Sequence, residues 1–368
     1  MFMGRPASLG AFSLVVTAII IDCAASTVID RDVVILAGGA SGAHAGVRLR
    51  EDYNKSVVIV EKQDRLHLPL LSSYETFPDA AVGIPEDLTM KFVDFAKKYQ
   101  IEAAVPRIFQ AFGAPITRFF LGIVGSFVSV SRRNQDIYDA IAELLGSDVL
   151  YSSIAVETIR TEEGVEVLVQ SADNTRTLIR AKKLVVSFEP TLDNLKGISI
   201  DEQETAVFCK WKWSTVYAGV VSHPSLPTSF SYTSTDPKTW LSIPELSFVG
   251  RFDYLGGDNY RVLVTGGSDF TSLDARELVK SSVVKLASAG TIPSLGDEPP
   301  QIKSWADHGP MHLHVSGDEL EAGFVTDLYA LQGRKSTFFT GGAWSVQFTT
   351  ILWEFNNRFL LPKLLAEL

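Results

Sequence analysis

The sequence predicts an α/β protein of two domains, and three stretches predict it. Val33-Val34-Ile35-Leu36, the glycine-rich Ala37-Gly38-Gly39-Ala40-Ser41-Gly42 and the later Ser56-Val57-Val58-Ile59-Val60-Glu61 spell strand, turn, helix, strand and closing acid. A strand-rich block over residues 205 to 270 provides a second, mixed α+β body. Near the end, Thr337-Phe338-Phe339-Thr340 leads into Gly341-Gly342-Ala343-Trp344 and an apolar helix from about Thr349 to Leu364. A chain of 368 residues has room for two cores.

The first stretch is a βαβ unit whose parts suit a dinucleotide. Gly39 carries no side chain to hold a pyrophosphate off the backbone, and Gly42 lets the helix lie close on the strand. The helix start aims unpaired N–H groups at phosphates. Glu61 stands where a carboxylate can accept from ribose hydroxyls and repel a 2′-phosphate. Ala37 replaces the first glycine of the pattern, so its φ is expected to stay negative. The rival reading is a plain βαβ unit with a glycine-rich turn.

Composition narrows the function. With 46% hydrophobic and 21% charged residues the chain is globular rather than disordered. A net charge of −10 and the lack of a long basic run argue against a nucleic-acid surface. Residues 1–26 read as a signal peptide: Arg5 gives a positive start, Leu9 to Ile21 an apolar segment, and Cys23-Ala24-Ala25-Ser26 small residues for cleavage. A retained anchor is the alternative, but the segment is short for a span of ~20 residues. The mature protein is then expected to be secreted, with no stable membrane span. Cys209 remains alone after cleavage and is expected to be buried. Asn54-Lys55-Ser56 is a glycosylation sequon.

Along the chain, residues 66 to 85 read as a loop, Glu86 to Gln100 as a helix, and Ile116 to Val130 as a buried helix or pocket wall. Asn134 to Leu145 is an amphipathic helix with Ile137, Ile141, Leu144 and Leu145 on one face. Asp148 to Tyr151 is a short strand. Val156 to Arg160 and Val165 to Val169 form a hairpin, joined by Thr177 to Lys182, and Lys183 to Ser187 is a buried strand ended by Pro190. Strands are expected at Val216 to Val221, Ser247 to Val249 and Tyr260 to Val264, and a helix at Asp274 to Ala289.

These pieces, in this order, resemble the flavin-containing amine oxidoreductase superfamily, within it a fungal secreted branch. The likeness rests on Val34 to Arg65, Arg133 to Tyr138, Ala181 to Leu195, Trp305 to Pro310 and Thr340 to Leu364. It implies an FAD-binding, Rossmann-like (glutathione-reductase-like) domain over 27–67, 132–204 and 334–368, and a substrate domain over 68–131 and 205–333. It also implies that Ala37, Gly38, Gly39, Ala40, Ser41 and Gly42 line the FAD pyrophosphate and that Glu61 holds the ribose. Lys62 and Arg65 would lie near the cofactor, and Val156 would clasp adenine through its backbone. Gly341, Gly342, Ala343 and Trp344 would sit beside the ribityl chain and flavin ring. The implied activity is hydride removal from a small organic substrate, an amine or secondary-metabolite-like molecule.

Two departures stand out. The family's glycine pair and several tens of residues after the segment matching Leu66 are missing, because Leu66 runs into His67-Leu68-Pro69. Ser345-Val346-Gln347-Phe348 stands where the family has more polar, flavin-facing residues. A secreted relative that binds a ligand or partner without turnover is therefore the competing expectation, and a nicotinamide dehydrogenase a third. No acid–base residue is assigned, and no metal is expected, since His308, His312 and His314 lack a clustered carboxylate or cysteine. His312 and His314 are expected to share a strand face, His44 to be structural, and His67 to lie near the flavin. Trp211, Trp213, Tyr217, Trp240 and Trp344 could wall a pocket, though singly such residues are more often core.

Overall fold

A computed structural model describes residues 27–66, 92–104, 135–226, 231–239 and 242–368. The expected signal peptide, His67, the loop to residue 85, the apolar run at 116–130, Arg133, Asn134 and Trp240 lie outside these residues. The described chain divides into two units: 27–66, 135–209 and 325–368 form one, and 92–104, 210–226, 231–239 and 242–324 the other.

The first unit begins with β1 (Thr27–Leu36), α1 (Ala40–Val47) and β2 (Val57–Val60). Val33 to Leu36 and Val57 to Val60 are buried on both sides, as the unbroken β-branched runs require. In the second unit α2 (Phe92–Lys98) is the described part of the expected helix at 86–100. Back in the first unit, α3 (Gln135–Leu145) turns Tyr138 and Leu145 inward, whereas Ile137 and Leu144 are more than two-fifths exposed. The buried stripe is thus displaced by one residue from the expected face, because the large Tyr138 ring takes the inward position. Then come β3 (Val149–Leu150), β4 (Ser153–Arg160), β5 (Val165–Ser171) and β6 (Arg176–Val186). The sequence suggested two strands where β6 is one.

That continuity organises the sheet. Along one edge β6 runs parallel to β1, from Thr27 opposite Thr177 to Leu36 opposite Val186. Along the other, its first half pairs antiparallel with β5. Its second half pairs parallel with β12 (Thr337–Phe339), which places Phe339 opposite Val186. The parallel strands therefore lie in the order β3-β2-β1-β6-β12, with the β4–β5 hairpin continuing from the start of β6.

After β6 in the chain comes α4 (Glu202–Phe208), which overlaps the start of the block read as β-rich. Asp201 accepts from the Glu204 N–H and Glu204 accepts from the Asp201 N–H, a reciprocal cap that fixes the helix start. Cys209 follows this helix and is exposed, contrary to expectation, since Val207 and Phe208 take the inward positions.

The second unit holds the sheet β11-β7-β10-β9-β8, built from β7 (Lys212–Ser222), β8 (Tyr232–Thr233), β9 (Phe248–Gly256), β10 (Asn259–Gly266) and β11 (Gln301–His314). Its helix α5 (Ser272–Ser288) starts two residues before the expected Asp274, because Thr271 caps it reciprocally with Asp274. Ala275, Val279 and Val283 of α5 pack on Tyr217, Val221, Val249, Phe252, Tyr260, Val262 and Val264. Pro310 is tolerated because β11 is an edge strand. In β11 the register jumps between Met311 and His314, and His312 has φ +56°. The alternation that would put His312 and His314 on one face is therefore broken. Among the described residues no helix is long and apolar enough to cross a membrane.

Candidate dinucleotide site

The carboxyl ends of β1, β6 and β12 stop at one level, since Leu36 lies opposite Val186 and Val186 opposite Phe339. The loops that leave them form the site. Such an edge is where open α/β sheets bind ligands.

Ala37 to Gly42 form the first loop. Ala37 accepts the strain that the missing glycine would have avoided: its φ is +77°, not negative as expected. The reason is close packing. The Ala37 N–H donates to the Val60 carbonyl (2.9 Å), while its own carbonyl accepts from the Ser187 hydroxyl (2.8 Å). A Cβ on Gly42 would collide with that carbonyl and stand 2.6 Å from Ser187 Oγ, so only glycine lets the helix approach. A Cβ on Gly39 would meet nothing within 4 Å, so the loop is open on that side.

Helix α1 begins with Ala40, and its first helical bond is Ala43 N–H to the Gly39 carbonyl (2.9 Å). The N–H groups of Ser41 and Gly42 thus have no acceptor within the helix. Among the described residues, Ser41 Oγ is buried without a hydrogen-bond partner. An open glycine, unspent backbone donors and an orphaned hydroxyl at a helix start suit a diphosphate.

Glu61 is buried at the end of β2 and spans to this loop. Its Oε2 accepts the Gly38 N–H at 2.6 Å and its Oε1 the Gln63 N–H at 2.7 Å. Each oxygen keeps a further lone pair for a hydroxyl. Burial, then the Glu61 charge, pushes the Tyr151 phenol up. Lys62 is exposed, and Arg65, 62% exposed at its side chain, pairs with Asp64 at 3.6 Å. Neither is drawn to the glycine loop. Val156 lies at a bulge of β4: the register passes from Ala155–Val169 to Glu157–Leu168, leaving Val156 without a cross-strand partner.

The third loop follows β12. The Thr340 N–H donates to the Val186 carbonyl at 2.9 Å. Gly341, with φ +111°, lies over the Ser187 backbone, so this turn reaches the loop after β6. The Trp344 indole points into the core, stacked on Phe339 at 5.0 Å. At Gly342 and Ala343 only backbone and a methyl group are on offer. Gln347, noted in the sequence as atypical, donates to Glu189 at 2.9 Å, and both side chains crowd Gly342. Tyr217 stacks on Trp305 at 5.9 Å and Trp211 packs edge-on against Phe324 at 4.8 Å; both are core residues.

The residues missed from the sequence are Ser187, Glu189, Thr340 and Asn356. Asn356 is wholly buried and binds Thr340 Oγ1, the Ser41 carbonyl and His44. Its neighbours Glu354, Asn357 and Arg358 are polar too, so the sequence does not single it out. His44 is structural: it stacks on Trp353 at 5.2 Å, and burial, then Arg48, holds it down at about 4. Among the described residues no three His, Cys, Asp or Glu side chains converge as a metal site would need.

A parallel sheet with a glycine loop, a buried acid and a second loop from its last strand gives the chain an α/β fold that solved flavin amine oxidases share. Among solved structures the chain superposes on a fatty acid isomerase from P. acnes with TM-score 0.65 at 16% identity, covering 89% of this chain and 98% of that one. It also superposes on a redesigned putrescine oxidase with TM-score 0.56 at 13% identity, covering 92% and 100%. In sequence the chain is similar to fungal proteins: it is 28% identical to β-cyclopiazonate dehydrogenase of Aspergillus flavus, over 90% of this chain and 92% of that protein. It is 26% identical to the FAD-dependent oxidoreductase oblC of Cochliobolus heterostrophus, over 93% and 92%. The first alignment runs to 425 residues, more than this chain holds, so the relative carries residues absent here. No family model matches.

Proposed function

We propose that the protein is an FAD-dependent oxidoreductase that removes a hydride from a small organic molecule, an amine or a secondary-metabolite-like compound. One observation carries this: the glycine loop, the Glu61 carboxylate and the Thr340–Gly342 turn stand together at the carboxyl edge of one parallel sheet. The names of the fungal relatives and the amine oxidases among the fold neighbours support the redox class.

In this reading Ser41, Gly42 and the open face of Gly39 hold the diphosphate. Glu61 accepts from the ribose, and the backbone of Val156, at the bulge of β4, meets adenine. Main chain from Gly341 to Ala343 faces the flavin portion. FAD supplies the hydride-accepting ring, while the protein orients it. The cofactor part is assigned to 27–67, 132–204 and 334–368, the substrate part to 68–131 and 205–333. Export through cleavage after residue 26 completes the proposal, and sequencing the amino terminus of the secreted protein tests it.

The second reading, a secreted relative that binds a ligand or partner without turnover, draws on Ala37 at φ +77° and on the Gln347–Glu189 pair against Gly342. A visible spectrum separates the two. Absorption bands of bound flavin, bleached by amines under anaerobic conditions, support the enzyme. A colourless protein that takes up no added FAD overturns it.

A further inference from the structure

The first turn of α1 is held from behind by the carboxyl-terminal helix, and the contacts fall on two particular peptide units. Trp353, in α6 (Thr349–Phe355), donates its indole N–H to the Ala40 carbonyl at 3.1 Å. Asn356 opens the π-helical turn Asn356–Leu360 that follows, and its Nδ2 donates to the Ser41 carbonyl at 2.9 Å. A peptide unit is planar, so fixing a carbonyl fixes the direction of the next residue's N–H. Trp353 thereby aims the N–H of Ser41, and Asn356 aims the N–H of Gly42. These are two of the first-turn donors that α1 leaves unspent.

Asn356 is itself over-determined, which is what a positioning group requires. It is fully buried, and its Oδ1 accepts the Thr340 hydroxyl at 2.6 Å. Its Nδ2 also faces His44 Nδ1 at 3.3 Å, and His44 is held neutral and can accept there. His44 in turn stacks on Trp353 at 5.2 Å, with the rings 15° apart. A buried amide is costly unless its donors and acceptor are satisfied, and here all three find partners. The same amide links Ser41, at the start of α1, to Thr340, the residue before the Gly341 turn.

We propose that Trp353 and Asn356 are positioning residues for a diphosphate: they hold the Ser41 and Gly42 N–H groups at the aim an anion needs, before the ligand arrives. The inference rests on the dinucleotide reading above and extends it to residues that touch no ligand.

The test compares ADP with adenosine on the apo-protein by calorimetry, and follows FAD uptake by quenching of flavin fluorescence. Trp353→Phe keeps the stack on His44 and removes one donor. Asn356→Leu fills a similar volume without adding a charge, and removes the donor to Ser41 together with the acceptor for Thr340. Each is expected to bind ADP and FAD about fivefold more weakly, as the loss of one neutral hydrogen bond implies. Adenosine affinity should stay near wild type, while the melting temperature of the apo-protein falls, more for the Asn356 variant, which loses its contacts to Ser41, Thr340 and His44. Equal losses for ADP and adenosine would mean general loosening and would overturn the proposal, as would unchanged ADP affinity in both variants. Wild-type protein that binds neither FAD nor ADP brings down the dinucleotide reading itself, a failure visible before any variant is made.

Discussion

The Glu61 carboxylate accepts the main-chain N–H of Gly38 at 2.6 Å across the end of β1 and β2. Its other oxygen accepts from Gln63 at 2.7 Å. The acid that the sequence assigns to a ribose therefore first shapes the loop that surrounds the ligand. Glu61→Gln puts an amide N–H against one of these backbone donors and is expected to cost about 1.5–3 kcal/mol of folding stability. Urea unfolding of the apo-protein measures it. A midpoint equal to wild type would confine Glu61 to ligand contact.

Ala37 at φ +77° stores strain that a glycine would release. Ala37→Gly relieves about 1–2 kcal/mol of left-handed strain, offset in part by the greater freedom of glycine in the unfolded chain. A net gain of about 0.5–1 kcal/mol is expected, read as a higher melting temperature. A loss of stability would show that the Ala37 methyl group packs better than its backbone suffers.

His44 sets a pH dependence. Burial, then Arg48, lowers its folded value from 6.5 to about 4, with Asp52 pulling the other way. Between those values the unfolded chain takes up a proton that the folded chain refuses. Stability is therefore full above pH 6.5 and falls as the pH drops towards 4, by a total on the order of 3 kcal/mol. His44→Phe keeps an aromatic ring against Trp353 and removes this contribution. The difference between wild type and variant in urea midpoints, followed from pH 7 to 4.5, isolates it from the carboxylates that titrate in the same range. A constant difference would refute the assignment.

Arg160 and Glu204 form a fully buried ion pair at 2.5 Å between β4 and α4, with Arg160 also donating to the Ser199 carbonyl. Arg160→Met leaves the Glu204 carboxylate buried without its partner and is expected to cost about 3–5 kcal/mol. Adding Glu204→Leu should restore part of that, although the cap on Asp201 is then lost. A double variant no more stable than the single one would show that the cap outweighs the pair.

What could be read from the residues was whatever is local and repetitive. The βαβ unit, the β4–β5 hairpin and α5 each carry a period that their own neighbours enforce. The continuity of β6 was not visible, because Arg180, Lys182 and Lys183 interrupt the apolar run, and only the pairing with β1 and β12 shows why they stay in the strand. Helix α4 was hidden by the apolar Ala206-Val207-Phe208, although Asp201 and Glu204 already spelled its cap. In the site, Gly39, Gly42 and Glu61 are recognisable from spacing. Ser187 and Asn356 act on residues far away in the chain, and nothing in their own surroundings announces it.

The pairing of β6 with both β1 and β12 has a temporal consequence. Strands that meet on β6 come from stretches far apart in the chain, and distant partners close slowly. While the ribosome is still reading the stretch before Thr337, the glycine loop has its strand but not its brace. The glycine loop therefore gains its brace only after β12 and the helix that carries Trp353 and Asn356 have been made.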